Sequence, residues 1–180
     1  MNIAIFGGSF DPVHLGHEII VKNALNILDI DKLIIVPTYI SPFKEEFCAS
    51  PKMRMSWLKK VFDYDDRLII DDYEIKQQKP TPSIQTVRYV WQKYSPKKIY
   101  FIIGADHLEN LPKWHEYENL KAMVDFVIAD RLGIKIPNEF NNIKMNVDIS
   151  SSIIRNKLEI DKVNDKIKDE VINFYQGLKC

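Results

Sequence analysis

The sequence carries no charge bias: 25 Lys and Arg residues balance 25 Asp and Glu residues, and the formal net charge is zero. A protein that binds nucleic-acid polymers draws on a basic surplus to neutralise many phosphates at once. Without that surplus, phosphate chemistry has to be local, built from a few converging groups, which favours a small nucleotide over a polymer. Cysteine is scarce too. Cys48 and Cys180 are the only two, neither stands in a pair with metal-ligand or redox spacing, and both are expected to be reduced thiols. No apolar stretch approaches the roughly 20 residues that cross a bilayer. Residues 2–6 form a short apolar run that ends at glycines, unlike a signal peptide. These absences predict a cytoplasmic protein. Repeats, low-complexity tracts and linkers are lacking as well, so residues 1–180 are read as a single domain.

What the chain does have is alternation. Short β-rich apolar runs at 3–6, 33–36, 68–70, 99–103 and 126–129 are separated by amphipathic segments at 17–28, 52–62, 83–94 and 111–123. Several of the runs are continuously apolar, as strands buried on both faces are. In the first amphipathic segment Ile20, Ala24, Ile27 and Leu28 share one helical face. Strand–helix–strand order predicts an α/β fold with a doubly wound parallel sheet, helices on both faces and right-handed crossovers. Beyond it, Val163, Ile167, Val171, Phe174 and Leu178 recur every three or four residues, which predicts a helical C-terminal part packed on the core. Such sheets bind ligands at the carboxyl ends of their strands, so the residues just after each strand matter most.

The first strand runs into Gly7-Gly8-Ser9-Phe10-Asp11-Pro12-Val13-His14-Leu15-Gly16-His17, followed by a helix. The glycines let the backbone turn sharply and approach a ligand. The helix start offers unpaired N–H groups and a positive dipole end to an anion. His14 and His17 can both point toward that anion, and Gly16 removes a side chain from between them. The Gly-x-Gly-x-x-Gly spacing of dinucleotide dehydrogenases and the Gly-Lys-Ser/Thr of P-loop enzymes are both missing. A zinc reading of the two histidines lacks a third ligand within sequence reach.

This eleven-residue string resembles the signature of the nucleotidyltransferases that carry His-x-Gly-His, a Rossmann-like superfamily of adenylyl- and cytidylyltransferases. A second string, Ile149-Ser150-Ser151-Ser152-Ile153-Ile154-Arg155, resembles the Ile-Ser-Ser/Ala-x-x-Ile-Arg motif that completes the triphosphate site there. Serines at a helix start cap it and leave N–H groups for an anion, and Arg155 lies one turn further on. Two such matches in the expected order make coincidence a poor explanation.

A third segment selects the branch. Gly104-Ala105-Asp106 and Leu111-Pro112-Lys113-Trp114-His115-Glu116-Tyr117 resemble the Gly-x-Asp … Trp segment of bacterial nicotinate-nucleotide adenylyltransferases. That resemblance implies that Trp114 contributes to the pocket for the nicotinate ring and that Asp106 serves ribose hydroxyls or the metal. The adjacent His115 either touches the acceptor, the reading favoured here, or faces water. Thr81-Pro82-Ser83-Ile84-Gln85-Thr86 aligns with the family's Ser-Tyr-Thr-x-Asp-Thr, which implies that N–H groups of Ser83 and Ile84 hold the nicotinate carboxylate. Pro82 departs from the family tyrosine and has no N–H. In Ser41-Pro42-Phe43-Lys44, Phe43 replaces the histidine of the family's Pro-Pro-His-Lys, while Lys44 still reaches a phosphate.

The resemblance implies transfer of an adenylyl group from ATP to nicotinate mononucleotide, giving deamido-NAD and pyrophosphate in NAD biosynthesis. It assigns His14, His17, Lys44 and Arg155 to catalysis, and Gly7, Gly8, Ser9, Phe10, Gly16, Ser151 and Ser152 to ATP. Mg²⁺ is expected with the ATP triphosphate and without a dedicated protein cage. The partners are then ATP and nicotinate mononucleotide, with neither nucleic acid nor membrane. Alternative acceptors are nicotinamide mononucleotide and phosphopantetheine. Enzymes for the latter typically have threonine where His14 stands and lack the Gly-x-Asp … Trp segment. A non-catalytic nucleotide-binding protein is the rival from another class.

Overall fold

A computed structural model describes residues 1–40, 46–131, 133–145, 147 and 149–178. The chain order is β1 (Asn2–Gly8), α1 (Leu15–Ile27), β2 (Lys32–Pro37), α2 (Pro51–Val61), β3 (Leu68–Ile70), α3 (Tyr73–Gln77), α4 (Ser83–Tyr94) and β4 (Lys98–Gly104). A 3₁₀ segment (Ala105–Lys113) follows, then α5 (Tyr117–Met123), β5 (Asp125–Ala129), β6 (Asn141–Ile143), α6 (Ser151–Lys157), a 3₁₀ turn (Ile160–Lys162) and α7 (Lys168–Tyr175). The six strands make one parallel sheet in the order β3-β2-β1-β4-β5-β6. This is the doubly wound, Rossmann-like arrangement expected, and the order reverses between β1 and β4, where such sheets bind ligands.

Alternate residues of each strand feed two cores. Ala4, Phe6, Leu33, Ile35, Ile102 and Val127 face α1, α2 and α7, where Ile20, Trp57 and Tyr175 meet them. Ile3, Ile5, Ile34, Val36, Phe101 and Ile128 face the other way, toward Ile84, Val87 and Val90 of α4 and Leu120 of α5. Burial on both sides is why these strands read as unbroken apolar runs.

Several local expectations are corrected. The 111–123 segment is not one helix. Its first part is 3₁₀, and Glu116 in a left-handed backbone (φ +53°) separates it from α5. The buried face of α1 is Ile20, Val21, Ala24 and Leu25, while Ile27 is exposed. In the C-terminal stripe Val163, Ile167 and Val171 are buried, but Leu178 is exposed. Cys48 is disulfide-bonded rather than a reduced thiol. Among the described residues no helix is long and apolar enough to cross a membrane.

Candidate active site

A cavity of about 690 Å³ opens at the carboxyl ends of β1, β4 and β5. Its wall includes Gly7–Phe10, His14, Gly16 and His17 from the first turn, and Thr81–Ser83 and Thr86 from the start of α4. Gly104, Asp106, Trp114 and His115 follow β4, Arg131 follows β5, and Ser150 and Ser151 come from the second serine string. Its volume lies within the range of small-molecule sites.

The first turn is built around two stacked imidazoles. His14 is the N-cap of α1 and His17 its third residue, and their rings lie 3.8 Å apart at 29°. The His14 N–H donates to His17 Nδ1 at 3.1 Å, so the ring proton of neutral His17 sits on Nε2. Phe10, in a left-handed backbone (φ +49°) that is costly for a bulky residue, places its buried ring 4.8 Å from His17. A Cβ on Gly8 would meet that ring at 3.1 Å, and one on Gly16 would meet His14 at 3.1 Å and Ile149 at 3.0 Å. Burial, then the Arg131 charge, lowers the His14 pKa to about 3. Burial, His14 and Arg131 push His17 well below its ordinary value. Both imidazoles are therefore neutral near pH 7, hydrogen-bond groups rather than cations.

Around this turn, polar side chains clamp backbone to backbone. Arg54 of α2, 1% exposed, donates from Nε to the Ala49 carbonyl at 3.1 Å and from Nη1 to those of Ser9 at 2.6 Å and Thr38 at 2.8 Å. Its Nη2 donates to the Tyr39 carbonyl at 2.8 Å. The Asp11 carboxylate accepts from the N–H groups of Cys48 and Ala49, both at 2.9 Å, and from the Tyr175 hydroxyl at 2.5 Å. From the second serine string, Ser151 Oγ donates to the Pro12 carbonyl at 2.9 Å and Arg155 Nη1 to that of Asp11 at 2.5 Å. The two distant sequence strings thus meet through direct hydrogen bonds. Ser150 is the N-cap of α6, its Oγ accepting from the Ile153 N–H.

The opposite end of the sequence order, from β3 to β5, supplies looser groups. Glu74 of α3 lines the cavity, is 5% exposed, and accepts from the Thr86 hydroxyl at 2.6 Å. Burial raises its carboxyl to about 7 against the pull of that bond. A Cβ on Gly104 would lie 2.4 Å from Asp106 Oδ1, so only glycine leaves the Asp106 carboxylate its place, 3.2 Å from Arg131. Arg88 of α4 holds Glu116 with two bonds of 3.0 and 2.6 Å, fixing the turn that carries Trp114 and His115 against α4. Trp114 meets His107 edge-on at 5.7 Å. Three buried polar atoms on the cavity wall meet no partner among the described residues: His14 Nδ1, Thr38 Oγ1 and Trp114 Nε1. Buried polar groups are rarely left so without a ligand or water to meet them. Among the described residues no group of three or more His, Cys, Asp or Glu could hold a metal ion.

Of the residues singled out in the sequence, Gly7, Gly8, Ser9, Phe10, His14, Gly16, His17, Ser83, Asp106, Trp114, His115 and Ser151 line this one cavity. Ile84 does not: its side chain is fully buried in the α4 core. Ser152 is exposed beside Arg155, and the Arg155 guanidinium reaches the first-turn backbone instead of the wall. Lys44 and Phe43 lie outside the described residues. The sequence reading missed Arg131, Glu74 and Thr38, and named Ser150 only as part of the second string. Arg131 was within reach, because it stands two residues beyond a strand whose end was recognised. Glu74 belongs to a five-residue helix that no periodicity announces.

Residues 5–157 match the model of the cytidylyltransferase-like family. A protein of Campylobacter jejuni serotype O:6, named probable nicotinate-nucleotide adenylyltransferase, is 51% identical over 179 residues, 99% of each chain. One of Aliarcobacter butzleri with the same name is 48% identical over 181 residues, covering 99% of this chain and all of its own. Among solved structures, Plasmodium falciparum nicotinic acid mononucleotide adenylyltransferase complexed with NaAD superposes with a TM-score of 0.80 at 21% identity, over 97% of both chains. The same enzyme complexed with APC gives 0.74 at 23%. Sequence strings, sheet order and full-length likeness converge, and the chain belongs to the cytidylyltransferase-like family, among its nicotinate-nucleotide adenylyltransferases.

Proposed function

We propose that this protein transfers the adenylyl group of ATP to nicotinate mononucleotide, releasing pyrophosphate and deamido-NAD, as a cytoplasmic step of NAD biosynthesis. The observation that carries this reading is one cavity whose wall joins the His14–His17 pair and the second serine string to Ser83, Asp106 and Trp114. An acceptor phosphate oxygen forms a bond to the α-phosphorus, and the bond from that phosphorus to the bridging oxygen breaks as pyrophosphate leaves. The substrate brings its own nucleophile, so the protein's part is positioning and charge stabilisation.

His17 Nε2–H is the donor nearest the transferring phosphoryl group. His14 joins it from the adjacent, stacked ring. Because both rings are held neutral, the positive charge that opposes two polyanions comes from Arg131 and Lys113 on the wall, with Lys44 as the further cation. Arg155 acts on the phosphates or, through the Asp11 carbonyl, on the turn that cradles them. Ser151 and Ser152 begin α6 and offer N–H groups to the outer phosphates. The Ser83 N–H and the Trp114 ring serve the acceptor. Mg²⁺ arrives with ATP, bound by phosphate oxygens and water, as is usual for this ion.

Pyrophosphate release with ATP, Mg²⁺ and nicotinate mononucleotide, nicotinamide mononucleotide or phosphopantetheine tests the reading, with the nicotinate form expected to dominate. Activity only with phosphopantetheine would refute the acceptor assignment, and nucleotide binding without any pyrophosphate would refute the reaction. His17→Ala is expected to lower kcat about ten- to a hundredfold through loss of one charged hydrogen bond. Near-normal turnover in that folded variant would remove His17 from the mechanism.

A further inference from the structure

Two acidic side chains on the cavity wall differ in what meets them. Asp106 is paired with Arg131 at 3.2 Å. Glu74 has no cation within ion-pair distance among the described residues, and its one hydrogen bond comes from the neutral Thr86 hydroxyl. Thr86 is three residues after Ser83, so the two share one face of α4 roughly a helical turn apart, and both line the cavity. At this helix start the Gln85 N–H donates to the Pro82 carbonyl at 2.9 Å, whereas the Ser83 and Ile84 N–H groups meet no acceptor among the described residues. An anion is drawn to those free donors and to the helix dipole. A charged Glu74 one turn away would oppose it, and at such spacing the repulsion is worth a factor of about ten or more.

We propose that Glu74 is a specificity-determining residue of the acceptor pocket, admitting an anionic ring substituent only while its own carboxyl holds a proton. The inference rests on the proposed reaction, in which the acceptor's ring carboxylate docks at the start of α4. Burial provides the condition at neutral pH, because it brings the Glu74 carboxyl to about 7. Nearby titratable groups are engaged elsewhere. Tyr73, beside Glu74, stacks on Tyr89 of α4 at 4.0 Å, and the Tyr89 hydroxyl and Lys93 both donate to Asp71. Arg88 of α4 is held by Glu116. On the rest of the wall His14 and His17 are neutral and Asp106 meets Arg131. His107, Lys113, His115 and Asp130 complete its titratable set.

The test is kcat/KM for nicotinate mononucleotide at saturating MgATP from pH 6 to 9, in the wild type and in Glu74→Gln. Titrations of the substrates and of every other residue are common to both enzymes and cancel in their ratio. The ratio of variant to wild type is expected to be level below pH 6.5, to rise above 7 and to flatten at the repulsion factor of about ten or more. A ratio that stays constant across the range would overturn the proposal. A second measurement needs no variant: calorimetric titration of the wild type with nicotinate mononucleotide at pH 8, in buffers of different ionisation enthalpy, is expected to show uptake of about half a proton or more. Binding without proton uptake would equally overturn it. Should neither enzyme release pyrophosphate at any pH, the reaction itself fails and the inference with it, an outcome distinct from a constant ratio.

Discussion

Around the first turn, four backbone carbonyls converge on the buried Arg54 and three donors converge on the Asp11 carboxylate. Around the start of α4, among the described residues, two N–H groups are without acceptors and a buried carboxyl has one neutral partner. Apart from His14 Nδ1, which faces the cavity, the first region's clamp is satisfied internally and so holds its shape before any ligand arrives. The second keeps unspent hydrogen-bonding and titrating capacity facing the cavity. The difference fits the proposed division of labour. A triphosphate must be met by a preorganised cradle, because reorganising dipoles during transfer would forfeit the electrostatic gain. An acceptor ring has to be told from its near-isosteres, and discrimination comes from polar groups that only the right substituent satisfies.

This contrast can be broken most severely at Arg54. Arg54→Met should cost about 3–5 kcal/mol in urea unfolding, since it leaves four carbonyls without their donor in a buried site. A loss below 1 kcal/mol would mean that the clamp is dispensable. In the α4 region the expected sign is opposite. In the folded state Glu74 titrates near 7 rather than 4.5, so between those values the folded protein keeps a proton that the unfolded chain releases, and stability falls as pH rises. Glu74→Gln should therefore stabilise by about 3 kcal/mol at pH 8 and by little at pH 4. Equal unfolding curves at pH 8 would contradict the buried, unpaired environment.

A smaller loss is expected at Tyr175, where phenylalanine removes one donor from the Asp11 carboxylate while the two backbone donors remain. Tyr175→Phe should cost about 2 kcal/mol in the same assay. The slightest effect on stability, under about 1 kcal/mol, is expected for Gly104→Ala, because Asp106 can swing away from the new methyl group. Its cost is functional: loss of the Asp106–Arg131 geometry should lower kcat/KM about tenfold, misplacement of this kind being expensive in catalysis. Unaltered kcat/KM would show that this pair does not shape the site.

β1 to β5 were legible as unbroken apolar runs, which burial on both faces demands of β1, β2, β4 and β5, and each was found within a residue or two of its observed bounds. β6 was not, since Asn141-Asn142-Ile143 has no such run and becomes a strand only by pairing with β5. The 111–123 pattern misled because its apolar spacing suits a helix, while Glu116 turns left-handed to meet Arg88 from α4, a contact absent from local sequence. Most of the wall was readable from the first turn, where glycines and histidines are constrained by their immediate neighbours. Glu74, Thr38 and Arg131 were not read, as each is brought to the cavity by a different strand end.

By itself, the sequence determined the strand–helix alternation, the sheet's direction and the two strings that meet at its carboxyl edge. These depend on periodicity and on backbone freedom within a few residues, which are local properties. Only the tertiary structure decided that His14 and His17 are neutral, that Arg155 grips the Asp11 carbonyl, that Ile84 belongs to the core and that Glu74 titrates near neutrality. Desolvation and the charges of distant segments set each of these, and both exist only once the chain has brought its strand ends together.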